Sequence, residues 1–102
     1  MPRYRLFIAY DGTNFSGWRK QKFEDGSPRR TIQGVVESAV QLVVREAVVL
    51  LGASRTDAGV HAKMQVASFV TKEPVRVPVD RLASAISSRL PEDVVVWKAE
   101  KV

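Results

Sequence analysis

Residues 3–10 alternate along the chain, with Tyr4, Leu6, Ile8 and Tyr10 on one side and Arg5, Phe7 and Ala9 on the other. A period of two predicts a strand, and apolar weight on both sides predicts a central one. Asp11-Gly12 stops it, and residues 11–30 hold three Gly and one Pro with no sustained period, which reads as a long loop. Within that loop Phe15, Trp18 and Phe23 are read as anchors to the core, with base stacking as the alternative. From Thr31 the period becomes helical: Ile32, Val35, Val36, Ala39, Val40 and Val43 share a stripe, and Gln33, Glu37 and Gln41 lie opposite. Thr31 is a natural N-cap. The helix end is unmarked by Gly or Pro and is placed near residues 44–47, before a second strand in the run 47–51.

A third strand is expected over Met64–Val70 and a second helix from Pro78, whose fixed backbone suits a first turn. Val79, Leu82, Ala83, Ile86 and Leu90 form its apolar stripe, and Pro91 ends it. Val94-Val95-Val96-Trp97 opens a last strand running to Glu100. The order strand, helix, strand, strand, helix, strand predicts one α+β domain over residues 1–102. Its economical architecture is a ferredoxin-like βαββαβ fold, a four-stranded antiparallel sheet with two helices on one face.

Length and composition narrow the class. At 102 residues, 45% apolar and 26% charged, the chain suits one soluble core. It has no window apolar enough for a bilayer span and no signal-like start. No cysteine and a single histidine argue against disulfides and a zinc site and fit a reducing compartment. The net charge is +5 and the isoelectric point about 10.0, pointing to a polyanionic partner. Five bases (Arg19, Lys20, Lys22, Arg29, Arg30) against two acids between residues 19 and 30 suit a loop tracking phosphates; a solvated surface loop is the other reading.

Chemistry is concentrated in Ala53-Ser54-Arg55-Thr56-Asp57-Ala58-Gly59-Val60-His61-Ala62, a polar loop between two strand-like runs, in which Asp57 is the only carboxylate. Its spacing admits two readings: an acid beside a base on a rigid loop, or a turn in which an Asp two residues before a Gly caps its own backbone. The string Arg55-Thr56-Asp57-Ala58-Gly59-Val60-His61-Ala62 closely resembles the signature of the tRNA pseudouridine synthase A family. Tyr10-Asp11-Gly12-Thr13-Asn14-Phe15-Ser16-Gly17-Trp18, Thr31-Ile32-Gln33-Gly34-Val35-Val36-Glu37 and Leu90-Pro91-Glu92-Asp93-Val94 resemble that family's other landmarks in the same order.

The resemblance implies an isomerase that turns uridine into pseudouridine in the tRNA anticodon stem-loop, without a cofactor. It implies Asp57 as the catalytic carboxylate and Arg55 as a residue that holds the flipped nucleotide or fills the gap left in the RNA, with Arg19, Lys20, Lys22, Arg29 and Arg30 as further RNA contacts. His61 matches the signature too, and a lone histidine at a loop-to-strand junction is read as structural. The implied partners are tRNA and a second copy in a homodimer, with no membrane or metal, in the cytoplasm. Ser54 departs from a glycine common before the arginine, and the junction after the first helix lacks the family's usual Gly or Pro. The family completes its site with a second half that supplies a tyrosine and a further basic residue, so the chain is expected to be an N-terminal half, inactive alone. A catalytically silent RNA-binding ferredoxin-like module is the alternative.

Overall fold

The computed structural model describes residues 1–53 and 57–102. The elements are β1 (Arg3–Tyr10), a 3₁₀ turn (Gly12–Asn14), α1 (Ile32–Val44), β2 (Leu51–Gly52), β3 (Ala62–Val70), α2 (Val79–Ser87) and β4 (Val94–Lys101). The strands form one antiparallel sheet in the order β2-β3-β1-β4, the expected ferredoxin-like arrangement. No helix among the described residues is long and apolar enough to cross a membrane.

Strand alternation decides which face is buried. Tyr4, Leu6, Ile8 and Tyr10 of β1, Ala67 and Phe69 of β3, and Val94 and Val96 of β4 point into the core. There they meet Ile32, Val36, Ala39 and Val40 of α1 and Leu82 and Ile86 of α2, so both helices cover the same face. Burying a residue of this kind contributes about 1.5–3 kcal/mol. The opposite face stays open. A bulge between Phe7 and Ile8 in the pairing with β4 leaves Trp97 without a partner across the ladder, and its ring lies 5.4 Å from that of Phe7. Met64, Val95 and Trp97 are exposed, and Arg5 pairs with Glu100 at 2.9 Å.

The first helix starts as its sequence predicts: the Thr31 side chain accepts the Gly34 N–H, closing one orphan donor of the first turn. It ends at Arg45, which adopts a left-handed conformation with φ 59. Here a non-glycine residue performs the stop that glycine usually makes, which explains why the boundary carried no punctuation.

The strand expected over residues 47–51 shrinks to Leu51–Gly52. Burial still alternates, with Val48 and Leu50 inside and Val49 and Leu51 outside, but the backbone bonds go to a helix. Val48 N–H donates to Gln41 Oε1 (3.1 Å), Leu50 N–H to Glu37 Oε2 (3.0 Å), and Gln33 Nε2 donates to the Leu50 carbonyl (2.9 Å). Gln33, Glu37 and Gln41, four residues apart on one stripe of α1, thus replace a neighbouring strand. Glu37 is therefore buried rather than solvated, and it also holds Lys20 Nζ at 2.6 Å. Replacing Glu37 by leucine leaves the Leu50 N–H without an acceptor, at a cost of about 1–3 kcal/mol; Glu37→Gln keeps an acceptor oxygen and is expected to lose less than half as much. Urea unfolding midpoints of the two variants check this, and equal midpoints would contradict the ladder.

The second helix ends at Ser87 rather than at Pro91. Beyond it Arg89 and Leu90 donate to carbonyls three residues back, a tightened finish that brings half-buried Leu90 onto the core. Pro78 occupies the cap position, one residue before the helix.

Candidate active site

The loop between β2 and β3 is held at both ends by the segment 11–18. On the β2 side, Gly52 lies against the indole of buried Trp18 so closely that a Cβ would sit 2.7 Å from its ring. On the β3 side, Gly59 donates to the Phe15 carbonyl (3.3 Å) and buried Gly12 faces Val60, where a Cβ would come within 1.9 Å of the Val60 carbonyl oxygen. The Gly12 N–H donates to His61 Nδ1 (2.9 Å). Phe15 and Trp18 are buried as anchors, whereas Phe23 is exposed and carries the Arg29 guanidinium 4.3 Å above its ring.

Asp57 stands between these two supports and is exposed. Its main-chain carbonyl, not its side chain, closes the turn by accepting the Val60 N–H (3.2 Å), with Gly59 at φ 79, where glycine is tolerated without strain. The N–H groups of Gly59 and Val60 both go to main-chain carbonyls, so the self-capping reading of this aspartate does not hold among the described residues. Arg55 lies outside the described residues.

Beside the loop runs an open groove of about 800 Å³, lined by Tyr10, Asp11, His61, Lys63, Glu92 and Asp93 among others. Asp11 caps the 3₁₀ turn, accepting the Thr13 hydroxyl (2.6 Å) and N–H (3.0 Å). Those bonds, with a smaller contribution from His61, hold its carboxyl below the usual carboxylate range. The hydrogen bonds from Arg30 do the same for Asp93.

The basic residues separate into two groups. Arg30 forms a two-pronged pair with Asp93 (2.9 and 3.0 Å) and stacks 3.9 Å above Phe15, so it ties the long loop to the start of β4. Lys20 is engaged by Glu37. Arg19, Lys22 and Arg29 are exposed; the last two flank a small hairpin that Lys22 and Pro28 close by bridging, with Gly26 at φ 87 at its tip. No cluster of three or more metal-ligating side chains exists among the described residues.

Sequence reasoning found the aspartate loop and missed most of its frame. Nothing in the pattern marked Glu37 as buried, the Arg30–Asp93 pair joins residues far apart in the chain, and the Gly12–Val60 and Gly52–Trp18 contacts are visible only once the strands are paired. Their signal in the sequence was the pair of glycines themselves, each of which proves to leave no room for a side chain.

The family model described as tRNA pseudouridine synthase matches residues 6–102. The chain is 43% identical over 102 residues to tRNA pseudouridine synthase A of Acetivibrio thermocellus, covering all of this chain and 39% of that protein. It is 43% identical over 102 residues to tRNA pseudouridine synthase A 2 of Clostridium perfringens, with the same coverage, and 44% identical over 98 residues to tRNA pseudouridine synthase A 2 of Clostridium tetani, covering 96% of this chain and 38% of that one. The chain thus spans about two-fifths of the length of the curated relatives it matches.

Proposed function

Because the chain belongs to the tRNA pseudouridine synthase family, we propose that it is the aspartate-bearing N-terminal part of an enzyme that isomerises uridine to pseudouridine in the anticodon stem-loop of tRNA. The observation that carries this reading is an exposed carboxylate, Asp57, on a loop pinned on one side by Gly52 against the Trp18 indole and on the other by Gly12 against the Val60 backbone. A rigid support of this kind suits catalysis, which depends on holding the reacting group in place.

The reaction breaks the bond from ribose C1′ to uracil N1, turns the base and joins C1′ to C5, with no change of oxidation state. Asp57 supplies the carboxylate that attacks the sugar or the base, or takes a proton from the ribose. Arg55 is assigned to the flipped nucleotide, where a planar charged fork suits stacking and phosphate contact. The far wall of the pocket comes from the remainder of the enzyme. Function in the cytoplasm and pairing with a second copy belong to the same proposal, and the exposed Met64, Val95 and Trp97 of the open sheet face favour association of this kind.

Phosphate contact falls to Arg19, Lys22 and Arg29, with Lys20 and Arg30 adding positive potential while held by their carboxylates. Replacing Lys22 and Arg29 by alanine is expected to weaken tRNA binding at low salt and to lower the slope of log affinity against log salt by about 1.4–1.8, since each phosphate contact contributes about 0.7–0.9. An unchanged slope would remove the hairpin from the RNA interface. The activity itself is tested in a chimera in which this chain replaces the corresponding two-fifths of the Acetivibrio thermocellus relative, assayed for pseudouridine in tRNA.

A further inference from the structure

His61 Nδ1 faces a donor and an acceptor at once. The Gly12 N–H lies at 2.9 Å and Asp11 Oδ1 at 3.1 Å, and one ring nitrogen cannot serve both. A neutral imidazole has one nitrogen that donates and one that accepts, whereas an imidazolium donates from both. When His61 is neutral with its proton on Nε2, Nδ1 accepts from Gly12 and the turn stays clasped to the Asp57 loop. When His61 takes a second proton, Nδ1–H turns to Asp11 and the N–H of buried Gly12 loses its acceptor.

We propose that His61 is a positioning residue: its neutral Nδ1 latches the Gly12 turn to the β3 end of the Asp57 loop, and protonation exchanges that latch for an ion pair with Asp11. The position of the bond supports this. It lies two residues from Gly59, whose N–H holds Phe15, and one from Val60, whose carbonyl presses on Gly12, so releasing Gly12 loosens the whole β3 arm of the loop. Asp11 is ready as the alternative partner, because its bonds from Thr13 keep it ionised at pH values where a carboxylate would otherwise begin to take up a proton.

Asp11, which follows β1, is the charged partner of the imidazole at 3.1 Å. The other charged groups lining the same groove are Lys63 in β3 and Glu92 and Asp93 before β4, and Arg30 pairs with Asp93 from the long loop. The switch takes one proton on the ring. Its effect on catalysis rests on the function proposed above. The exchange of hydrogen bonds does not.

The chain has a single histidine, so its ring nitrogens are identified without ambiguity in a nitrogen-15 NMR titration of the 102-residue protein. At the basic end Nδ1 is expected to show the signature of an unprotonated acceptor. On acidification the Gly12 amide is expected to shift with the same midpoint as the ring, and exchange of the Gly59 amide to accelerate at least fivefold beyond its intrinsic change. His61→Asn, whose side-chain oxygen can occupy the Nδ1 position, keeps the Gly12 amide protected at every pH, and His61→Leu loses protection at every pH. A ring whose proton resides on Nδ1 at the basic end, a Gly12 amide that ignores the titration, or equal protection in the asparagine and leucine variants would overturn the latch. If these signatures hold while the chimera forms no pseudouridine, the latch stands and the assigned reaction falls.

Discussion

Gly12→Ala is expected to lower pseudouridine formation by more than 100-fold in the chimera while destabilising the chain by about 1–3 kcal/mol, the range for forcing atoms into a packed site. The added Cβ would lie 1.9 Å from the Val60 carbonyl oxygen and 2.6 Å from its carbon. Both obstacles are backbone, so no rotamer change relieves them, and either the 3₁₀ turn or the Asp57 loop must move. Moving the turn strains the Asp11 N–H bond to the Asp93 carbonyl, and moving the loop breaks the Gly59 bond to Phe15. A displacement of about 1 Å at a reacting group costs roughly two orders of magnitude in rate, so most of the loss should fall on kcat. Gly26→Ala is the control: no atom lies within 4 Å of its added Cβ, and although its φ of 87 makes alanine somewhat strained, activity should be retained. Thermal unfolding and turnover of the two variants side by side check the argument. Equal activities would mean that the clasp does not position the loop.

Asp57→Asn is expected to remove at least 1,000-fold of the rate, a barrier increase of about 4 kcal/mol at roughly 1.4 kcal/mol per tenfold. Asparagine has nearly the same shape as aspartate but neither the charge to attack carbon nor the basicity to take a proton, so each of the possible roles for Asp57 fails together. Folding is not at risk. The side chain is exposed, and surface substitutions of this kind usually change stability by less than about 0.5 kcal/mol. Affinity for tRNA should stay close to that of the parent chimera, because phosphate contacts dominate it. Circular dichroism and a binding titration separate these outcomes from simple misfolding.

The elements most legible in the sequence were those whose partners lie on the opposite side of a regular period. The first strand runs over Arg3–Tyr10 because its alternation reports a real two-faced environment, and α1 begins after Thr31 because a cap is a local device. The run 47–51 misled for a physical reason. Its valines and leucines alternate in burial as a strand would, but whether an extended segment joins a sheet depends on what satisfies its N–H and C=O groups, and here Glu37 and Gln41 of α1 accept two N–H groups while Gln33 donates to a carbonyl. The last turn of α2 was overextended because Pro91 marks where a helix cannot continue, not where it stops.

The site divides in the same way. Asp57 was visible as the lone carboxylate of a motif, and it is exposed. Arg30 was read as part of a phosphate-facing cluster, yet its guanidinium is taken up by Asp93 and Phe15, a pairing that no local pattern encodes. Glu37 was placed on the stripe opposite the apolar one, and is buried because the chain returns across that stripe on its way to β2.

The central claim is that this chain supplies the carboxylate for pseudouridine formation, and the chemistry offers a direct readout. Joining C1′ to C5 displaces the hydrogen on C5, so tRNA carrying tritium at uridine C5 releases it to water once per isomerisation. The chimera containing this chain is expected to release tritium with catalytic turnover, and the same chimera with Asp57→Asn, equally folded and equally able to bind tRNA, to release none above background. Release by the asparagine variant at a rate comparable to its parent would contradict the account.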